Sequence, residues 1–109
     1  MYKDRLKKLG LKCFSKRNLQ HIVNGHCIEG ANYIGKFVTT SADDSIFFIG
    51  ENFLELALEV CEKGIKVGEQ KYVYDLGRFV GLNRMGECTS KVEVWLTKSL
   101  DGIRSVYPI

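Results

Sequence analysis

Val92, Val94 and Leu96 alternate with Glu93, Trp95 and Thr97; Asp101-Gly102 follows; and Ile103 to Tyr107 continues as a second strand-like run. An Asp-Gly pair between two such runs is a strong short-range hairpin signal. It predicts an antiparallel pair at the end of the chain, and that pair needs a sheet around it. The same geometry has a chemical corollary. Alternate strand residues point to one face, so Ser105 and Tyr107 present a hydroxyl and a phenol to one place, just before Pro108.

The rest of the chain supplies helices and more strands. Residues 3–9 read as a short basic helix ended by Gly10 at the C′ position. Ser15 is a good N-cap for a second helix that runs through Leu19, Ile22 and Val23 to Asn24-Gly25. Residues 30–35 read as loop, Lys36–Thr40 as a short strand and Ser41–Asp44 as a turn. Ile46–Ile49 is an apolar segment that fits a strand or the approach to a helix. Glu51 to Lys63 carries the clearest helical period, with Phe53, Leu54, Ala57, Leu58 and Cys61 as a core stripe and Gly64 as its stop. Lys71–Leu76 and Arg78–Val80 read as strands, and Gly86 as a turn. The prediction is an α+β fold, N-terminal helices followed by a largely antiparallel sheet. At 109 residues this is one domain, 1–109. A basic lead occupies 1–14 and the core 15–109.

Charge is distributed unevenly. The net +3 conceals seven of the sixteen basic side chains in residues 3–17, Lys3, Arg5, Lys7, Lys8, Lys12, Lys16 and Arg17, opposed by Asp4 alone. The remainder balances to −3. A basic arm on such a body suits a polyanion or an acidic protein partner; on charge alone a solvated helix face is the favoured account of the run, since such runs are common. No apolar run approaches the roughly 20 residues of a membrane span, and no signal peptide is readable. Cys13, Cys27, Cys61 and Cys88 form no Cys-x-x-Cys pair, and with His21 and His26 they match no familiar zinc spacing. Four is an even number, which leaves disulfides open, but Cys61 lies in an apolar helical stripe where a free thiol behaves as a small hydrophobe; mostly reduced cysteines and a cytosolic place of action are expected.

His21 and His26 are the only two histidines. His21 falls in the last turn of its helix, where the dipole favours a protonated imidazole. His26 lies just past the helix stop, so the turn between them lets both rings approach one point. RNA transesterification needs a base for the 2′-OH, an acid for the departing 5′-oxygen, and a cation or donors for the phosphorane charge. An imidazole with pKa near 6.5 suits the first two roles. His21, His26, Lys36, Ser105 and Tyr107 supply each part, with Thr39 and Thr40 as substrate contacts. No metal and no cofactor is called for. Each residue also has a plain structural use: a histidine can cap a helix, a lysine after glycine is commonly solvated, and Ser105 and Tyr107 can simply finish a strand.

The His-x-x-x-x-His segment after a basic lead, the central amphipathic helix, the glycine-punctuated strands and a final strand ending in Ser-x-Tyr-Pro resemble the C-terminal toxin domains of bacterial contact-dependent growth inhibition and related polymorphic toxin systems. His21, His26 and Lys36, ten residues on, are similar to the ribonuclease A-like branch. His21-Ile22-Val23-Asn24-Gly25 is similar to the EndoU and barnase-like branch. Serine stands at 105 where both have threonine, Lys36 stands where the first has arginine, and the Gly-Gly before the second branch's later histidine is missing. Either resemblance implies a ribonuclease toxin fold and metal-independent cleavage of RNA, tRNA among the candidates, to a 2′,3′-cyclic phosphate. It also implies delivery from the cell surface within a larger secreted protein, action in the target cell's cytoplasm, and a cognate acidic immunity protein.

Two other readings use the same residues. A non-enzymatic RNA- or protein-binding module needs only the basic arm. ADP-ribosyl transfer needs a late catalytic glutamate, for which Glu87 and Glu93 are present without a surrounding motif.

Overall fold

The computed structural model describes residues 2–12, 17–19, 22, 45–48 and 50–109. The fold is α+β, with short helices and two antiparallel sheets. In chain order the elements are α1 (Tyr2–Lys8), β1 (Ile46–Phe47), α2 (Phe53–Lys63), β2 (Ile65–Gly68), β3 (Lys71–Asp75), β4 (Gly81–Leu82), β5 (Cys88–Thr89), β6 (Lys91–Leu96) and β7 (Ile103–Pro108). Residues 17–19 and Ile22 also have helical backbone, on the stretch where the second helix is expected. The order is not helices first and strands second, because β1 precedes α2. The expected strand Lys36–Thr40 lies outside the described residues.

The larger sheet runs β2-β3-β6-β7 and the smaller β1-β4-β5. Each element has a local cause. Asn52 caps α2, its Oδ1 accepting from the amides of Leu54 (3.1 Å) and Glu55 (3.2 Å). Gly10 ends the α1 turn at φ +73°, as a C′ glycine should. Gly64 stops α2 for a different reason: its φ is an ordinary −77°, but an added Cβ would lie 2.4 Å from the Val60 carbonyl oxygen and 2.7 Å from that of Val73. Space, not handedness, requires glycine there.

The buried face of α2 is rotated from the expected stripe. Leu56, Ala57, Leu58 and Val60 are buried, with Phe53 and Cys61 half-buried beside them. They pack on Val92, Val94 and Leu96 of β6 and on Ile103 and Val106 of β7. Leu6 and Leu11 join this core from the N-terminus. Arg5 fastens α1 to α2 through Glu55 and through a two-point pair with Glu62 at 2.6 and 3.1 Å. That part of the basic arm is therefore engaged within the chain. These contacts raise the guanidinium's pKa and lower that of Glu62.

Three local expectations shift. The strand expected at Arg78–Val80 begins later, at Gly81, although Val80 already exchanges backbone bonds with Phe48 and Thr89. The strand β2 was not expected, and Ile46–Ile49 resolves as the strand Ile46–Phe47 followed by coil at Phe48. The closing hairpin is present, but residues 97–102 connect it rather than a tight Asp-Gly turn. Leu100, not glycine, takes the left-handed conformation at φ 62°. Asp101 organises that loop, accepting from Thr97 and Ser99 and pairing with Lys12 at 3.1 Å. Its carboxyl is held down to about 2, first by Ser99 and then by Lys12.

Candidate functional site

The strand β7 sets the site. Trp95 pairs with Ser105 and Glu93 with Tyr107, so these four side chains share the sheet face opposite the Val92, Val94 and Val106 core. Lys71 on β3 pairs with Trp95 and joins the same face. The expectation that Ser105 and Tyr107 share a face holds.

Their environments differ sharply. Tyr107 is half-buried in a polar cluster. Its hydroxyl donates to Glu93 Oε2 and accepts from Trp95 Nε1 at 2.6 Å. The indole also donates to Glu93 at 3.2 Å, and Lys71 Nζ lies 3.8 Å from Glu93 Oε1 and 4.6 Å over the Trp95 ring. Burial, then the neighbouring Glu93 carboxylate, pushes the phenol up to about 12. The phenol proton already has an acceptor, so Tyr107 is not poised to give it to a phosphate. Glu93 serves as that acceptor in a closed cluster; it is not placed as an isolated late glutamate.

Ser105 is only 8 % exposed, and its Oγ is buried with no hydrogen-bond partner among the described residues. Leaving a hydroxyl in that state costs about 1–3 kcal/mol, which a fold tolerates only for a reason. Ser105 lines a cleft of about 400 Å³ with Arg17, Asn18 and Arg104, within the roughly 300–1,000 Å³ typical of small-ligand sites. Two features build it. The Asn18 side-chain amide donates to the Ile103 carbonyl at 3.3 Å, bringing Arg17 against the final strand. On β7 the register steps from Ser105 to Ile103 while β6 steps from Trp95 to Leu96, so Arg104 is the extra residue of a bulge. A bulge re-aims side chains.

His21, His26, Lys36, Thr39 and Thr40 lie outside the described residues. In sequence His21 follows Asn18 by three positions. Arg17, Asn18 and Arg104 went unnoticed as site residues. Arg17 counted only as part of the basic arm, and no spacing signal links positions 17 and 104. Among the described residues no three His, Cys, Asp or Glu side chains gather as a metal site. Cys61 and Cys88 are free thiols, and burial pushes the Cys61 thiol up to about 12, away from reactivity. Cys13 and Cys27 lie outside the described residues. No described helix is long and apolar enough to cross a membrane.

Comparison with family models, with curated proteins and with solved structures finds no match for this chain, so its chemistry must be argued from its own side chains.

Proposed function

We propose that this chain is the catalytic domain of an antibacterial ribonuclease toxin with a ribonuclease toxin-like fold. It cleaves RNA, tRNA among its candidate substrates, by metal-independent transesterification and leaves a 2′,3′-cyclic phosphate. The observation that carries the reading is Ser105: a buried hydroxyl with no partner among the described residues, on the Ser-x-Tyr-Pro strand, at the wall of a cleft lined by two guanidinium groups. Such a hydroxyl is suited to hold a phosphate oxygen, and the cationic cleft offsets charge that develops on the phosphorane.

In this mechanism His21 and His26 divide the acid and base roles, and Lys36 stabilises the phosphorane. Thr39 and Thr40 contact phosphate or base. Tyr107 enters as a positioning residue: through Glu93 and Trp95 it fixes the strand that carries Ser105. An acidic immunity protein encoded beside the toxin covers the cleft in the producing cell. The domain is delivered as part of a larger secreted protein and acts in the cytoplasm of the target.

The test is incubation of the purified chain with total RNA, with and without EDTA, followed by analysis of the ends. Cleavage that survives the chelator and leaves cyclic phosphates is expected. His26→Ala should lower it at least about a hundredfold, the lower range for loss of a general acid or base. Strict dependence on a divalent ion, or full activity in both single histidine variants, overturns the mechanism. RNA binding without any cleavage would assign the chain to the binding-module class.

A further inference from the structure

We propose that Arg17, Asn18, Arg104 and Ser105 form an oxyanion site for a phosphate group, either a phosphodiester of an RNA strand or free phosphate. The inference rests on the ribonuclease reading, with which it shares the Ser105 cleft, and adds to it the state of the two arginines. Arg17 and Arg104 are exposed, and neither has a carboxylate partner among the described residues. Arg5, Lys12, Lys63, Lys71 and Arg78, by contrast, all face acidic side chains. Two like charges on one cleft repel unless an anion lies between them. Ser105 adds a hydroxyl at the cleft wall; its Oγ is buried with no partner among the described residues, so turning it toward a phosphate oxygen gives up no hydrogen bond to them. Asn18 clamps the arrangement by its bond to the Ile103 carbonyl.

The chemistry of this donor set is specific. It offers two planar guanidinium forks and a hydroxyl, and guanidinium groups match tetrahedral oxyanions by paired N–H donors. The site would therefore grip phosphate oxygens and leave the sugar and base to the remainder of the roughly 400 Å³ cleft. Among the described residues its lining holds no aromatic side chain, and contacts from guanidinium and hydroxyl groups to phosphate oxygens carry no sequence information.

The experiment separates binding from cleavage. Wild-type chain is titrated with inorganic phosphate by calorimetry. A fluorescent 2′-O-methyl oligoribonucleotide, which lacks the attacking hydroxyl, is followed by anisotropy. Arg17→Gln, Arg104→Gln and Ser105→Ala are compared with Lys98→Gln, a charge change equal to that of the arginine variants at an exposed position that does not line the cleft. Each arginine variant should weaken oligonucleotide binding about tenfold or more, as expected for loss of a charge-assisted hydrogen bond. Each should also flatten the salt dependence by about 0.7 in log–log slope, the value for one phosphate contact on a single strand. Lys98→Gln should do neither. Binding of both probes identifies an RNA-borne phosphate as the ligand; binding of phosphate alone identifies the free ion. Failure of both probes to bind, or equal loss in Lys98→Gln, overturns the site. A wild type that binds but never cleaves leaves the site standing and removes the ribonuclease reading. One that cleaves while the folded arginine variants bind both probes normally does the reverse.

Discussion

Replacing Ser105 by alanine should make the protein more stable and less active. The hydroxyl oxygen is buried and has no partner among the described residues, so folding strips it of water with no hydrogen bond from them in return. That desolvation costs about 1–3 kcal/mol. Alanine removes the oxygen and with it a few van der Waals contacts, each worth about 0.1–0.2 kcal/mol, so about 0.5 kcal/mol is lost. The net gain is about 1 kcal/mol, within a range of about 0.5–2.5. For a domain of this size 1 kcal/mol raises Tm by about 4–8 °C. Urea denaturation should show the midpoint moving up at constant m-value, which marks a change in stability rather than in compactness. RNA cleavage should fall in the same variant after circular dichroism confirms folding. A loss of more than about 1 kcal/mol would mean that the hydroxyl makes a structural hydrogen bond, and the argument that it is held for a ligand would fail. Full activity in the stabilised variant would equally return Ser105 to an ordinary strand end.

Three further expectations follow from packing and titration. Tyr107→Phe should lower stability by about 1 kcal/mol, because Glu93 and Trp95 each lose a partner. In wild type Tyr107 should ionise late, near pH 12, in an ultraviolet titration. The folded pKa is raised, so its stabilising contribution is complete below pH 10 and lost as the pH climbs through 12; a variant lacking Tyr107 should lose the late step. Gly81→Ala should cost about 1–3 kcal/mol or more, because the added Cβ would lie 2.3 Å from the Ile46 carbonyl oxygen and 2.9 Å from both the Phe47 Cα and the Pro108 Cγ; an unchanged urea midpoint would disprove this close packing. Leu100→Gly should raise stability by up to about 1 kcal/mol, since leucine is strained at φ 62°; a lower Tm would show that the Leu100 side chain packs more than its 43 % exposure implies.

Local signals carried the parts of the fold that rest on local physics. The alternation of Val92, Val94 and Leu96 is a strand because one face is buried and the other is not. The α2 period, the Gly10 stop and the Gly86 turn, at φ +76°, are likewise set within a few residues. What failed was decided at a distance. Arg78–Val80 has strand composition, but the ladder to β1 and β5 continues into Gly81-Leu82, where only glycine fits against Ile46 and Phe47. The strand β2 has too few residues for its alternation to stand out beside Gly64. The site divides the same way. The shared face of Ser105 and Tyr107 follows from the two-residue period. The capture of the phenol by Glu93 needs the register of β6 on β7, and the pairing of Arg17 with Arg104 needs the Asn18 clasp.

That clasp also bears on timing. Asn18 leaves the ribosome eighty-five residues before Ile103. Until β7 exists, Asn18 has no Ile103 carbonyl to bind and Arg17 has no second guanidinium beside it. Contacts so distant in sequence are also among the slower to form. The cleft assembles only when the whole span from Arg17 to Ser105 is free to fold, so a chain truncated before β7 should lack it however well the rest of the fold forms.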